Sequence, residues 1–171
     1  MEIITDNLII RSFNSGDIDD YANIVADPEV MRYLGDTLDR DSAAAYVTDC
    51  VERDQDTGIS RYAIVQKSDG AFIGFCGFKS LVEDYGNQVP GGVPWTDFGW
   101  RYRRSSWGRG FGFEAASAVY KHGRRELDLH RLEARAHRDN VGSLRIIEKL
   151  GFQWINDYES PVGIFRRYQG P

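Results

Sequence analysis

Hydrophobic and polar positions along the chain follow two periods and switch between them several times. Short runs rich in β-branched and aromatic residues predict strands over residues 8–11, 62–65, 72–78, 98–102 and 132–136, with a last pair between 152 and 168. Apolar residues at helical spacing predict helices that begin near Asp17, at Pro28, at Asp41 or Ser42, after the segment 107–112, and after Asn140. These elements indicate one α/β or α+β domain, spanning residues 1–171, that is built on a mixed sheet.

Glycine positions refine this outline. The Asp-Gly pair in the turn 67–70 favours a hairpin between two of the strands. Gly74 and Gly77, inside the second of those strands, indicate a bulge or a close approach of another backbone segment. Gly151 is a favoured residue for ending the last helix. Residues 81–95 form a predicted long loop, which in a compact domain is typical of a functional or mobile segment.

Composition and charge narrow the class of protein. No apolar stretch approaches the roughly 20 residues that cross a bilayer, and residues 1–11 lack the pattern of a signal peptide, so we expect no membrane partner. The formal net charge of −5 argues against a nucleic-acid partner and is compatible with a cationic acceptor such as an amine. Cys50 and Cys76 are isolated, so we expect reduced, buried thiols in a cytoplasmic protein and no metal site.

The clearest chemical signal is the run Trp-Gly-Arg-Gly-Phe-Gly at residues 107–112, called the glycine segment below. Gly108, Gly110 and Gly112 alternate directly before a predicted apolar helix, so bare backbone N–H groups and the positive end of the helix dipole face any anion there. No Lys-Ser or Lys-Thr pair follows, which argues against a P-loop, and the spacing and late position argue against a Rossmann site. By itself the segment indicates an anion site, and a glycine-rich turn without a ligand is an equal alternative.

Longer stretches around the glycine segment resemble the GNAT superfamily of acetyltransferases. Residues 98–116, which run from Phe-Gly-Trp through the glycine segment, are similar to motif A of that superfamily. Residues 129–152, which contain Asp-Asn-Val-Gly-Ser and end in Glu-Lys-Leu-Gly-Phe, are similar to motif B of its RimJ/RimL branch, whose members acetylate protein N-termini and related amines. Residues 6–11 and 27–34 resemble that branch too. The resemblance therefore spans almost the whole chain.

The resemblance implies a fold and a cofactor. It implies a mixed, mostly antiparallel sheet flanked by helices, in which the strand 98–102 splays away from its neighbour and exposes backbone groups to acetyl-CoA, the co-substrate. Phe98 is a further candidate for lining this slot. The residues implied to bind acetyl-CoA are Trp100, Arg101, Tyr102, Trp107, Gly108, Arg109, Gly110, Phe111, Gly112, Phe113, Asn140 and Ser143. Trp107 stands where the superfamily has Gln or Arg, so the resemblance implies backbone binding there.

The implied reaction transfers the acetyl group to a primary amine by direct attack in a ternary complex. Asp97 stands where many of these enzymes carry an acidic residue near the amine, so it is the candidate base, directly or through a water. A solvated strand end is the alternative interpretation of Asp97. Ser143 is the candidate for stabilising the leaving thiolate, because Ile147 occupies the position where other branches have a tyrosine acid, seven residues after Asn140.

The acceptor is left open by the sequence. A protein N-terminus, a polyamine or other small amine, and an amino sugar or antibiotic all fit the resemblance. Glu83 and Asp84 in the long loop are alternatives for attracting a cationic substrate, and Arg103, Arg104 and Arg109 are candidates for binding phosphates. Family members are often dimers, so a homodimer is compatible with the resemblance. The alternative function is a non-catalytic acyl-CoA-binding sensor or interaction module on the same fold.

Overall fold

The computed structural model describes residues 1–80 and 95–171, and within them eight strands form one sheet in the order β1-β2-β3-β4-β5-β6-β8-β7. The strands are β1 (Glu2–Ile4), β2 (Leu8–Arg11), β3 (Arg61–Gln66), β4 (Phe72–Ser80), β5 (Thr96–Tyr102), β6 (Leu132–His137), β7 (Gln153–Ser160) and β8 (Gly163–Gln169). The helices in these residues are α1 (Ile18–Val25), α2 (Pro28–Met31), α3 (Arg40–Thr57), α4 (Phe111–Arg125) and α5 (Val141–Lys149). This mixed, mostly antiparallel sheet with flanking helices confirms the predicted fold class.

One helix start agrees with the sequence prediction, and another differs from it in detail. Helix α3 begins after Asp39, whose carboxylate accepts a hydrogen bond from the backbone N–H of Ser42 at 2.8 Å, and not at Asp41 or Ser42. Asp17 precedes α1 without capping it, because its carboxylate is bound by the Arg11 guanidinium. The side chain that caps α3 is therefore that of Asp39, which the spacing of apolar residues does not show.

Some sequence expectations concern the loop, the cysteines and possible metal or membrane sites. Residues 81–94, which hold most of the expected long loop with Glu83 and Asp84, lie outside the described residues. No helix in the described parts of the chain is long and apolar enough to span a membrane. Across residues 1–80 and 95–171, no group of three or more His, Cys, Asp or Glu side chains is arranged to hold a metal ion. Cys50 and Cys76 are free and buried, as expected, and burial raises the pKa of both thiols.

The sheet divides between β5 and β6. These two strands run parallel, whereas the other neighbouring pairs in the described sheet are antiparallel. They pair only at their first residues, Thr96 with Leu132 and Asp97 with Glu133. Beyond Asp97, β5 stays paired with β4 and β6 stays paired with β8, so the two halves of the sheet separate and leave a gap. The expected splay of strand 98–102 is therefore present.

Alternation along β5 sends its side chains to two faces of the sheet. Phe98 lies in the larger apolar core and its ring centroid is 6.0 Å from that of Tyr120 in α4. On the opposite face, Arg101 contacts Tyr21 of α1 and Phe75 of β4, where α1 and α3 cover a second core. We call these the α4 face and the α1 face. The gap between β5 and β6 connects them.

Two glycines in β4 let other backbone segments approach closely. At Gly74, φ is +144° and a Cβ would lie 2.1 Å from the carbonyl oxygen of Arg101 in β5. At Gly77, a Cβ would lie 2.3 Å from the carbonyl oxygen of Ser60. The β3–β4 register also shifts beside Gly74. The close backbone approach expected at these two positions is confirmed.

Replacing Gly74 by alanine is expected to destabilise the fold strongly. The free energy of unfolding should fall by more than about 2 kcal/mol, because a positive φ alone costs roughly 1–2 kcal/mol in a residue with a Cβ and the overlap with a sheet carbonyl adds to it. Gly70→Ala is the matched control, since φ is +70° there and nothing lies within 4 Å of a Cβ. Urea unfolding measures both losses, and equal losses would contradict crowding at Gly74.

Candidate active site

A cleft of about 920 Å³ occupies the gap between β5 and β6 and is lined from both faces of the sheet. The glycine segment and the start of α5 form its wall on the α4 face. Helix α2 and strands β4 to β6 contribute its wall on the α1 face. The cleft brings together the predicted site residues Asp97, Trp100, Arg101, Tyr102, Trp107, Gly108, Gly110, Gly112, Phe113, Asn140 and Ser143. Arg109 and Phe111 are predicted site residues that do not line it.

The glycine segment forms the turn from which α4 starts. Gly108 and Gly110 have φ values of +73° and +86°, and a Cβ at either position would meet no atom within 4 Å. Glycine is therefore required by the backbone conformation, and the space around the turn is open. Gly110 is the N-cap of α4 and makes no side-chain capping hydrogen bond. The N–H groups of the first helical turn are consequently left for an acceptor outside the helix.

The large side chains of the glycine segment lie at the rim of the cleft or away from it. Trp107 is 48% exposed, and its Nε1–H donates to the carbonyl oxygen of Tyr102 at 2.9 Å. Arg109 donates to Oε1 of Gln66 at 3.1 Å, and its guanidinium lies 4.5 Å from the ring centroid of Phe111, which is buried in the core. Both side chains are therefore engaged outside the cleft lining, and the contact of Arg109 and Phe111 with the cofactor stays a prediction.

Tyr102 and Gly112 pack β5 against the start of α4. The Tyr102 hydroxyl donates to the carbonyl oxygen of Gly112 at 3.3 Å, and burial raises the pKa of this phenol well above its ordinary value. A Cβ at Gly112 would lie 2.8 Å from Cδ1 of Ile146 in α5. Tyr102 therefore shapes the wall of the cleft and offers no proton.

Phe113 is exposed at the cleft, with Nζ of Lys149 5.5 Å from its ring centroid.

Ser143 lies in the first turn of α5, across the gap from β5. The side-chain oxygen of Asn140 accepts a hydrogen bond from the backbone N–H of Ser143 at 3.1 Å and so caps the helix. The Ser143 hydroxyl oxygen accepts a hydrogen bond from Nε1–H of Trp100 at 3.3 Å. Because an indole nitrogen only donates, the Ser143 hydroxyl proton stays available for another acceptor. The structure brings these three predicted residues together at one point of the cleft.

The side chain of Arg101 lies on the α1 face, away from the glycine segment. Its Nη1–H donates to the Tyr21 hydroxyl at 2.9 Å, and its guanidinium lies 5.7 Å from the ring centroid of Phe75. Burial raises the pKa of Tyr21 to about 12, so the hydroxyl stays neutral. Since successive side chains of a strand point to opposite faces, Arg101 and Trp100 cannot serve the same ligand face. The Arg101 side chain therefore lies on the face away from the glycine segment, and the contact of Arg101 with the cofactor stays a prediction for its backbone groups.

Asp97 lies at the closed end of the gap, where β5 and β6 still pair. Its carboxylate accepts a hydrogen bond from Nη2 of Arg61, and its Oδ1 accepts from Nε and Nη2 of Arg135 at 3.2 and 3.1 Å. Arg61 also donates to the carbonyl oxygens of Gly77 and Gly99. These hydrogen bonds connect β3, β4, β5 and β6 through one group of side chains, which we call the Asp97 cluster.

The Asp97 cluster disfavours Asp97 as a general base. Burial raises the pKa of the carboxyl, but the charges of Arg61 and Arg135 outweigh burial and hold the pKa below its ordinary value. A base that takes a proton from an amine works best when its pKa is near the operating pH. Both carboxylate oxygens are also engaged by guanidinium groups. The geometry therefore favours a positioning role over the predicted proton abstraction.

Arg61 is the residue of this site that the sequence analysis missed. It is 8% exposed and begins a strand whose following four residues are apolar. An arginine is rarely buried to this extent without a charged partner. The arginine at the start of an apolar strand was therefore the sequence feature that could have indicated this residue. Its partner Asp97 lies 36 residues further along the chain, so no local spacing connects the two.

Two other predicted phosphate ligands are engaged in ion pairs. Nη2 of Arg103 lies 2.7 Å from Oδ1 of Asp20, and Nε of Arg104 lies 3.4 Å from Oδ2 of Asp27. Both aspartates belong to the α1–α2 segment. These arginines connect that segment to the end of β5, and their contact with phosphates stays a prediction.

Aromatic side chains line the cleft on the α1 face. Tyr33 stacks on His137 with ring centroids 4.8 Å apart, and its hydroxyl donates to the carbonyl oxygen of Asp139 at 3.1 Å. His137 in turn packs edge-on against Phe165, as expected for a packing residue. These contacts hold the end of α2 beside the start of α5, so the two faces of the cleft keep a fixed separation.

Asp97→Asn is expected to lower the free energy of unfolding by about 3 kcal/mol or more at neutral pH, because Arg61 stays buried without its carboxylate. Folding lowers the pKa of Asp97, so its stabilisation is present above the ordinary pKa of an aspartate and is lost as pH falls through the lowered value. The difference between the variant and the unaltered protein should therefore shrink in acid.

Urea unfolding at pH 7 and at successively lower pH measures this difference. Asp36→Asn, at an exposed position after α2, is the control, with an expected effect within about 0.5 kcal/mol. A difference between the Asp97 variant and the unaltered protein that is independent of pH would contradict the ion pairs.

Comparison with known proteins identifies the family of this chain. Residues 7–153 match the family model described as an acetyltransferase (GNAT) domain. The uncharacterized N-acetyltransferase p20 of Bacillus licheniformis is 28% identical over 168 residues, which cover 94% of this chain and 89% of that protein.

Two solved structures are similar to the fold. A GNAT-family acetyltransferase from Bordetella pertussis superposes with a TM-score of 0.84 at 20% identity, covering 100% of this chain and 99% of that one. RimL, a ribosomal L7/L12 alpha-N-protein acetyltransferase solved in complex with coenzyme A, superposes with a TM-score of 0.80 at 14% identity, covering 99% and 97%. At these identities the solved structures establish the fold, and the family match establishes the membership. The chain belongs to the GNAT family of acetyltransferases.

Proposed function

We propose that this protein transfers an acetyl group from acetyl-CoA to a primary amine by direct attack in a ternary complex. Family membership supports the use of acetyl-CoA and N-acetyl transfer. The cleft through the sheet is the main observation in favour, because it joins a turn suited to anions on one face to a charged pocket on the other. Two substrates that enter from opposite faces meet in the gap and need no covalent intermediate with the protein.

The glycine segment suits the pyrophosphate of acetyl-CoA. The N–H groups of the first turn of α4 lack intrahelical partners, and the helix dipole adds positive potential there. Gly108 and Gly110 leave the approach open, because a Cβ at either position would point into empty space. Arg145 and Lys149 line the same side of the cleft and add positive charge for the phosphates.

The free edge of β5 suits the pantetheine arm. From Phe98 onward, β5 has no pairing with β6, so its backbone groups on that side are without a strand partner. An extended, amide-bearing arm in the gap pairs with them as an added strand does. One of these N–H groups is our candidate donor to the thioester oxygen, which gains negative charge as the amine attacks.

Ser143 is our candidate for stabilising the departing thiolate. Its hydroxyl oxygen is held by Trp100, and its proton is available to donate. A hydrogen bond from this hydroxyl to the sulfur offsets the charge that the leaving group acquires. Ile147, one turn later on α5, has no group that donates.

The amine must be neutral when it attacks the thioester. Asp97 is poorly suited to take its proton, for the reasons of charge given above. We infer that the guanidinium groups of Arg61 and Arg135 disfavour a further positive charge nearby and so lower the pKa of the bound ammonium. The proton then leaves to water in the open cleft. In this proposal Asp97 holds the two arginines in position.

The acceptor classes we propose are a protein N-terminus and a small amine. The sequence resemblance to the RimJ/RimL branch supports a protein N-terminus, and the fold shared with RimL, an alpha-N-protein acetyltransferase, is compatible with it. The name of the Bacillus licheniformis relative specifies no substrate, so it supports neither class over the other.

Thiol release from acetyl-CoA, measured with a panel of peptides and small amines, tests the proposed function. Release that depends on the amine, with an acetylated product identified by mass spectrometry, is the expected result. Binding of acetyl-CoA without release across a broad panel would favour the non-catalytic sensor instead.

Gly110→Glu is expected to abolish acetyl-CoA binding, because the new carboxylate fills the anion site and repels the pyrophosphate. Gly70→Glu is the matched control, since both glycines have positive φ and open surroundings and Gly70 lies outside the cleft lining. The rise in melting temperature caused by acetyl-CoA should disappear in the first variant and persist in the second. A full rise with Gly110→Glu would show that the pyrophosphate binds elsewhere.

Ser143→Ala is expected to lower kcat by about tenfold or more, while the KM for acetyl-CoA changes little, because the hydroxyl acts on the leaving sulfur. Ser117→Ala, on α4 and outside the cleft lining, is the control and should leave kcat unchanged. Steady-state thiol release measures both variants. An unaltered kcat in the Ser143 variant would remove this residue from the reaction.

A further inference from the structure

Arg101 differs from the other arginines beside the gap in its electrostatic surroundings. Among the residues that the structure describes, Arg61 and Arg135 both pair with Asp97. Arg101 has no carboxylate partner there, and its one hydrogen bond goes to the neutral Tyr21 hydroxyl. Its Nε, like that of Arg61, is buried without an acceptor. A partly buried positive charge without a counter-ion is costly, which identifies Arg101 as a group that a ligand can complete.

The described lining of the cleft around Arg101 carries an excess of positive charge. On the α1 face it includes five basic residues and three acidic ones, namely Arg32, Arg61, Lys79, Arg101 and Arg135 against Glu29, Asp97 and Asp139. The chain as a whole has a formal charge of −5, so the positive charge is concentrated at this cleft. Arg145 and Lys149, on the α4 side, are additional to this excess. The α1 face therefore attracts anions in its own right.

The shape of this region leaves room for a small group beside Arg101. The adjoining floor is Gly99, which has no side chain and lies close to the guanidinium of Arg61. Tyr46 and Phe75, with ring centroids 5.5 Å apart, form an apolar wall beside it. A ligand over Gly99 lies between the Arg101 guanidinium and the gap that leads to the α4 face.

We propose that the acceptor amine carries a carboxylate, which Arg101 binds while the amine reaches the gap. This inference rests on the proposed function and names its acceptor class as an amino acid or a peptide that begins with an acidic residue. A guanidinium binds a carboxylate through two parallel hydrogen bonds, which orient the ligand as well as attract it. A polyamine, which the net charge of the chain allows, is repelled by this face.

Matched acceptors that differ in one carboxylate test the inference on the unaltered protein. One arm compares free amino acids with their α-carboxamides, and the other compares peptides that begin with Asp or Glu with peptides that begin with Asn or Gln. In the arm whose compounds the protein acetylates, kcat/KM should be roughly 10- to 100-fold higher for the compound with the carboxylate than for its matched amide. This ratio is expected for a charge-assisted hydrogen bond. The arm that shows the difference identifies the source of the carboxylate.

Arg101→Gln connects the preference to this side chain. The ratio of kcat/KM between the matched acceptors should fall to within about threefold, through a higher KM for the carboxylate member, while the KM for acetyl-CoA stays the same. Arg40→Gln, which removes the same charge from an exposed residue of α3, is the control and should keep the full preference. A melting temperature measured with and without acetyl-CoA verifies that both variants are folded.

Two results separate this inference from the proposed function. Equal or lower kcat/KM for the carboxylate members in both arms, with acetylation of some amine, overturns the carboxylate inference and leaves the acetyltransferase function standing. No acetylation of any amine by protein that binds acetyl-CoA overturns both. A preference that persists in Arg101→Gln also overturns the role of Arg101.

Discussion

The Asp97 carboxylate joins the two halves of the sheet at the point where they separate. Arg61 reaches it from β3 and Arg135 from β6, so the charges of both halves converge on one group. Strands β5 and β6 pair over only two residues, which is little backbone bonding to fix their relative position. The ion pairs supply the missing constraint at the closed end. Because β5 and β6 no longer pair beyond Asp97, the gap opens there, and the cleft lies within it.

This division of the sheet gives the two faces different chemistry. On the α4 face, backbone groups dominate: the turn at Gly110 and the unpaired edge of β5 offer N–H donors with few side chains in the way. On the α1 face, arginine side chains dominate, and Asp97 compensates only some of their charge. Binding by backbone groups depends little on which side chains are present, so it suits a ligand that many enzymes share. Binding by side chains changes with single substitutions. In our proposal, acceptor specificity is therefore determined on the α1 face.

Local signals in the sequence predicted the features that local structure produces. The strands, the turn before α4 and the cap at Asn140 depend on neighbouring residues, and their spacing is visible in one segment of chain. The pairing of Arg61 with Asp97 connects residues 36 apart, so only the folded sheet reveals why Asp97 is poorly suited as a base. Alternation along a strand already separates the Arg101 side chain from that of Trp100, so the face on which each lies was predictable from the sequence.

The charge of the cleft links binding to reactivity. A net charge of −5 describes the average surface, but a cleft focuses the field of the groups that line it, and most of the charged groups in its described lining are basic. In our proposal, this positive potential attracts the phosphates of acetyl-CoA and a carboxylate on the acceptor. The same potential disfavours an ammonium and favours the neutral amine that attacks. An acceptor with its own carboxylate would be attracted by the first effect, which offsets the second, whereas a simple cationic amine would only be repelled.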